Sequence, residues 1–141
     1  MKVHLYYIGK RRDEHSNAIA DEFIKRTTRY LKCEMREIQP DRFDPWERHP
    51  NGRKVLLDPL GRGATSAEFS KLVGDAEVEA RDLVFVVGGA EGLPVEWRNR
   101  KADSMLLSLS TMTFPHELAR AMLAEQIYRA VTILRGHPYP R

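Results

Sequence analysis

The sequence predicts an α/β fold: a mostly parallel sheet with helices on both faces. Apolar runs of strand length alternate with stretches of helical periodicity along the 141 residues, the order that builds βαβ units. Leu83-Val84-Phe85-Val86-Val87 is an unbroken β-branched and aromatic run, as in a central parallel strand covered on both sides. The turns after Leu57, Val87 and Leu109 are rich in glycine or hydroxyls, and open parallel sheets bind ligands beyond the carboxyl ends of their strands.

Taken in order, Val3 to Ile8 reads as the first strand. Asp13 to Ser16 supplies capping residues for a helix whose apolar face is Ile19, Phe23, Thr27 and Tyr30, flanked by Ala20, Ile24 and Leu31. Cys33 to Gln39 suits a second strand at an edge. Pro40, Pro45, Pro50 and Gly52, set among charges, predict a loop over 40–52. Val55-Leu56-Leu57 reads as a buried strand feeding a glycine-rich turn, Asp58 to Gly63. Thr65 and Glu68 form a capping box ahead of a helix that buries Phe69, Leu72, Val73 and Ala76. Pro94 fits the first position of a short helix reaching about Lys101, and Met105 to Leu109 the next strand. From His116 to Arg135 a helix is apolar on most of its circumference, which implies burial against a partner subunit. Gly136 suits its C-cap.

One compact domain spanning 1–141 is the expectation from length. Usage is 42% hydrophobic and 30% charged, which excludes disordered and fibrous classes. The net charge of +3 hints at a polyanionic partner without establishing one. Cys33 stands alone, so no disulfide and no structural zinc are expected, and it reads as a small core residue in a reducing compartment. The N-terminus does not have the form of a signal peptide, and no apolar run is long enough to cross a bilayer. A soluble cytoplasmic protein is expected.

Gly88-Gly89-Ala90-Glu91-Gly92 permits close approach of backbone to a ligand and equally suits a tight strand-to-helix connection. It matches no dinucleotide fingerprint, and a phosphate loop is absent from the sequence. Ser110-Thr111-Met112-Thr113 could hold an adenine edge; Thr113 could equally cap the helix that follows. Glu91 could act as a base or simply favour a helix N-terminus. His116 and Arg120, four apart on one helix face, join His137, Tyr139 and Arg141 as groups able to handle an RNA base, against the plain reading of a polar stripe and solvated tail. Trp46, Trp97 and Tyr139 could stack bases, although tryptophan is commoner in cores and interfaces. Arg11-Arg12, Arg98 and Arg100-Lys101 could meet phosphates, although isolated pairs are usually solvated surface.

Four ordered stretches carry a resemblance: Phe85 to Gly92, Leu107 to Arg120, Glu125 to Ala130 and Gly136 to Tyr139. Together they resemble the ribosomal large subunit methyltransferase H family, of the SPOUT class. The resemblance implies a C-terminal trefoil knot and a homodimer through the last helix. It also implies S-adenosylmethionine held by Leu57, Gly88 and the loop Leu109, Ser110, Thr111, Met112, Thr113 and Phe114. The implied reaction is methylation of N3 of a pseudouridine in helix 69 of 23S rRNA, in assembled ribosomes, with no metal needed. Arg120 is the expected stabiliser of the attacking anion, with Tyr139 and the tail of one subunit completing the other's site and His137 or His116 available for proton handling. Two departures stand out: the 40–54 segment is short for the family, and Pro140 stands where a histidine is usual. They leave room for a SPOUT enzyme with another RNA target, or for a knotted ribosome-binding dimer that no longer methylates.

Overall fold

The computed structural model describes residues 1–100 and 104–139, so Lys101, Pro140 and Arg141 lie outside the described residues. Five strands form one sheet in the order β2-β1-β4-β3-β5, every neighbouring pair parallel. They are β1 (Lys2–Ile8), β2 (Lys32–Ile38), β3 (Arg53–Gly63), β4 (Leu83–Val87) and β5 (Ser104–Ser108). Connecting them are α1 (Glu14–Thr27), α2 (Pro45–Arg48), α3 (Ser66–Val78) and α4 (Val95–Arg98), with α5 (His116–Leu134) closing the chain. The central strand β4 is buried at every residue, as its continuous apolar run requires.

The two faces of the sheet are covered unequally. Val3, Leu5, Tyr7, Val55, Leu83, Phe85 and Val87 pack against α1, α3 and α5. On the other face Tyr6, Leu56, Val84 and Val86 meet Ile38, Leu93 and Trp97, with Phe43 and Trp46 alongside. That second layer consists of loops and two single-turn helices. Each large side chain fully buried in either layer contributes about 1.5–3 kcal/mol.

Local sequence accounts for most boundaries. Asp13 caps α1 by accepting from the His15 amide, and Thr65 and Glu68 form the reciprocal capping box of α3. Gly136 takes φ +71° just past α5, where a left-handed residue ends the helix.

Four expectations are corrected. The buried stripe of α1 is Asn17, Ala20, Ile24 and Thr27, while Ile19 is 46% exposed. The α1 periodicity is compatible with either stripe, and packing on α5 selects the more polar one. The segment 40–52 holds a helical turn, α2, capped by Asp44 with Pro45 at its start. Residues Asp58 to Gly63 form no free turn: they continue β3, and both Leu57 and Arg62 pair with Leu107 across a register shift. A Cβ on Gly61 would lie 2.6 Å from the Leu106 carbonyl carbon, so only glycine lets β3 pass β5 this closely. Finally, α4 starts at Val95, with Pro94 as its N-cap rather than its first residue.

Candidate functional site

The middle of β3, from Leu57 to Pro59, and the carboxyl ends of β4 and β5 open onto one cleft of about 230 Å³. Its walls include Leu57, Gly88, Leu109, Ser110, Met112, Thr113 and Phe114, so seven of the eight residues expected to hold a cofactor converge there; Thr111 is exposed beside it. The sequence predicts three turns here; the structure brings together two, after β4 and β5, with the Leu57 to Pro59 stretch inside β3, through parallel pairing of the strands.

Each wall is stiffened locally. The glycine turn closes on itself: Gly89 and Gly92 form an antiparallel bridge, the Gly92 amide donates to the Gly89 carbonyl at 3.0 Å, and Gly92 holds φ +81°. A Cβ on Gly88 would meet the Gly92 carbonyl carbon at 2.6 Å. In the hydroxyl loop, Ser108 Oγ donates to the Ser110 carbonyl at 2.7 Å, and Ser110 Oγ accepts from the Met112 amide at 3.0 Å. No side chain caps α5, whose N-cap is Pro115, so Thr113 is not occupied as a helix cap. Asp58, nearly buried, accepts from the Leu60 amide at 2.8 Å and pairs with Arg98. No arginine or lysine lines the cleft among the described residues. That donor set, backbone amides and carbonyls, hydroxyls, apolar walls and one carboxylate, suits an uncharged or cationic nucleoside better than a nucleoside phosphate.

Arg120 is not at the cleft surface, which corrects its expected role as a group touching the reacting base. Its side chain is 0% exposed. The guanidinium lies 3.7 Å from the centroid of the Tyr7 ring, and Nη1 donates to Asn17 Oδ1 at 2.6 Å. Asn17 in turn donates to Glu117 Oε2 at 2.5 Å, and Glu117 also accepts from the Arg12 and Asp13 amides at 3.0 and 3.1 Å. Burial would raise the Glu117 carboxyl, but those hydrogen bonds and the Arg120 charge pull it down to about 2. This network ties α5 to the start of α1 and to β1. Sequence reading missed Asn17 and Glu117 because their partners lie about a hundred positions away. The only signal was a polar pair inside an otherwise apolar helix face.

Tyr139 and His137 lie elsewhere again. Tyr139 packs on Tyr128 at 4.7 Å between ring centroids and donates its hydroxyl to Glu125 Oε2 at 2.6 Å. Burial and Glu125 push the phenol up to about 12. His137 Nδ1 accepts from the Tyr139 amide at 3.1 Å. Neither lines the cleft of the same chain. His116 does line it. Glu91 is not among the lining residues, and Trp97 is buried against Trp46 with their ring centroids 5.9 Å apart, so it serves the core. Arg11 is engaged with Asp21 and Tyr7, and Arg100 with Asp44 and the Trp46 ring.

A second concavity of about 400 Å³ runs between α1, α3 and α5. Ile19, Phe23, Leu118, Ala121 and Met122 line it, an apolar groove left open beside the cleft.

Residues 1–140 match the family described as "Predicted SPOUT methyltransferase", and the chain belongs to the SPOUT methyltransferases. More narrowly, it is 59% identical over 141 residues to Ribosomal RNA large subunit methyltransferase H of Solibacter usitatus, with 100% of both chains covered. It is 36% identical over 157 aligned positions to the protein of the same name from Chromobacterium violaceum, covering 100% of this chain and 99% of that one. These identities place it in the ribosomal RNA large subunit methyltransferase H family. The shorter length is shared by the Solibacter relative. Among solved structures, an rRNA methyltransferase from Sinorhizobium meliloti with AdoMet bound aligns at TM-score 0.52 and 9% identity, covering 91% of this chain and 56% of that one. A Bacillus anthracis chain assigned as an RNA methyltransferase aligns at TM-score 0.55 and 16% identity, with 99% of each covered. At such identities the likeness is one of fold.

Proposed function

We propose that the protein transfers a methyl group from S-adenosylmethionine to large-subunit ribosomal RNA, and more finely to N3 of a pseudouridine in helix 69 of 23S rRNA within assembled ribosomes. The observation that carries this reading is the convergence of Leu57, Gly88 and the 109–114 loop on one cleft without a lysine or arginine, in a chain 59% identical to a methyltransferase of that name.

When bound, S-adenosylmethionine supplies an electrophilic methyl on a sulfonium. The work of the protein is then positional. Leu57, Leu109 and Phe114 would shield the cofactor from water, and backbone groups of Gly88 and the 109–114 loop, with the Ser110 and Thr113 hydroxyls, would hold its nucleoside by hydrogen bonds. Asp58, ion-paired with Arg98, fixes the cleft wall beside Leu57 and Pro59. Arg120 acts as a positioning residue: through Asn17 and Glu117 it fixes the first turn of α5, which carries His116 and Ala119 into the cleft wall.

A second copy of the chain completes the site in this reading. Drug-sized ligands are usually enclosed in about 300–1,000 Å³, and the cleft of one chain offers about 230 Å³, open to one side. The adjacent apolar groove supplies an interface, and a partner seated there would bring its Tyr139 and His137 to the RNA side of the cleft. A trefoil-knotted C-terminal half is part of this reading, as membership of the SPOUT methyltransferases implies. Among the described residues no helix is long and apolar enough to cross a membrane.

Purified protein with labelled cofactor should methylate intact ribosomes from a deletion strain, with free 23S rRNA a poor substrate. Label on another RNA would move the target, and cofactor binding without label on any RNA would leave a non-catalytic dimer.

A further inference from the structure

On the loop-covered face of the sheet, at the end remote from the cleft, four polar groups meet that the reaction does not use. His4 lies near the start of β1, Asp82 immediately precedes β4, Glu34 stands near the start of β2, and His49 follows α2. One ring nitrogen of each imidazole and an Asp82 oxygen lie within 4.8 Å of one another. His4 is buried.

His4 turns a carboxylate-facing nitrogen to each side. Its Nδ1 sits 2.9 Å from Glu34 Oε1, and its Nε2 sits 3.4 Å from Asp82 Oδ2. Ionised carboxylates only accept, so a neutral His4 that donates from Nδ1 to Glu34 turns a lone pair toward a second acceptor. Either a second ring proton or a metal cation between Nε2 and Asp82 satisfies that pair. The 3.4 Å gap is long for a shared proton. It equals the spacing of two donors that each stand about 2.1 Å from a tetrahedral zinc, which places them about 3.4 Å apart. A carboxylate on the far nitrogen is also the usual partner of a metal-ligating histidine. The His49 ring, 4.2 Å from that of His4 between centroids, supplies the third donor, and Tyr6 Oη, 2.7 Å from His49 Nε2, orients it.

We propose that His4, His49 and Asp82 bind a divalent zinc-class ion, with Glu34 holding His4 from behind. The ion pins the 39–52 loop, and with it α2, to the amino end of the sheet. Lys54, whose Nζ donates to the His49 carbonyl, and Lys2, 3.4 Å from Glu34, border the site. The three ligands are far apart in sequence, so no short spacing motif announces them.

The test uses the full-length chain stripped of metal and dialysed against micromolar zinc, read by elemental analysis, with cobalt absorption as a second probe. One ion per chain is expected, with a tetrahedral cobalt spectrum lacking a thiolate band, because Cys33 faces the other layer. Zinc should raise Tm. His49→Gln and Asp82→Asn should each remove the ion and the Tm rise, Glu34→Gln should weaken binding about 10- to 100-fold, and His15→Gln should change nothing. Less than one ion per chain, a thiolate band, or full binding by His49→Gln and Asp82→Asn would overturn the site. Should those two variants fail to fold, the wild-type stoichiometry, its cobalt spectrum and the response of Glu34→Gln decide alone.

Discussion

Gly88→Ala is the sharpest test of the cleft, because the obstacle to the new methyl group is backbone. Its Cβ would stand 2.6 Å from the Gly92 carbonyl carbon and 2.9 Å from both Gly92 Cα and its oxygen. Carbon atoms rest about 3.5–4.0 Å apart, so the overlap is near 1 Å and no side chain can rotate to relieve it. Overpacking of this kind costs about 1–3 kcal/mol, equivalent to roughly 5- to 150-fold in a binding constant. The turn can yield only by opening the Gly89–Gly92 bridge, which displaces the cleft wall. Calorimetry should therefore show S-adenosylmethionine affinity falling about 10- to 100-fold, and Tm falling by roughly 3–10 °C. Gly63→Ala is the matched control: nothing lies within 4 Å of its Cβ, so its effect should stay within about 0.5 kcal/mol. Wild-type affinity and Tm in Gly88→Ala would refute the claim that this turn is closed on itself in the functional protein.

Arg120→Ala leaves Glu117 and Asn17 without their buried cation, and unfolding experiments should show a loss of about 3–5 kcal/mol; methylation lost at unchanged stability would instead mean that Arg120 contacts the substrate. Glu117 has a folded pKa of about 2 against 4.5 for the ordinary carboxyl. Its stabilisation is complete above about pH 4.5 and disappears as pH falls toward 2, so acid unfolding should flatten over that window in Glu117→Gln. Met122→Glu places a charge in the apolar groove and should convert a dimer to monomer in sedimentation, with weaker cofactor binding; an unchanged dimer would move the interface elsewhere. Tyr139→Phe keeps the ring on Tyr128 but loses the bond to Glu125, so stability should drop by about 0.5–1.5 kcal/mol, while methyl transfer to ribosomes should fall far more if the tail serves the partner's site.

What was legible in the sequence follows the range of the interaction that decides each feature. The strand β4, the Thr65–Glu68 capping box and the extent of α5 are set by neighbours within a few positions, and the structure agrees with them. The turns after β4 and β5 were legible because parallel strands deliver their carboxyl ends to one edge, and Leu57 was placed at the cleft although it reaches it from within β3. By contrast, the α1 stripe, the long β3 and the burial of Arg120 are decided by distant contacts: Asn17 with Glu117, Arg62 with Leu107, and Arg120 with Tyr7. Periodicity cannot weigh those contacts. An arginine on the face that also carries His116 therefore read as a substrate group, when its depth in the helix packing makes it an anchor.

The first two turns of α5 divide their work by angle. A helix advances about 100° per residue, so positions 119, 116, 120 and 117 follow one another around one half of the circumference, and positions 121, 118 and 122 occupy the other. His116 and Ala119 join the cofactor cleft. Glu117 and Arg120 grip the start of α1 and Tyr7. Leu118, Ala121 and Met122 face the open apolar groove. A displacement of this segment by one partner must therefore be felt on the other sides, because a helix turn moves as a rigid body while its hydrogen bonds hold. Cofactor binding and subunit pairing are then linked by reciprocity: whatever factor pairing adds to cofactor affinity, cofactor must add to pairing. If the proposed dimer is right, saturating S-adenosylmethionine should lower the dimer dissociation constant, and equal constants with and without it would mean that the anchor at Glu117 and Arg120 isolates the two sides instead of joining them.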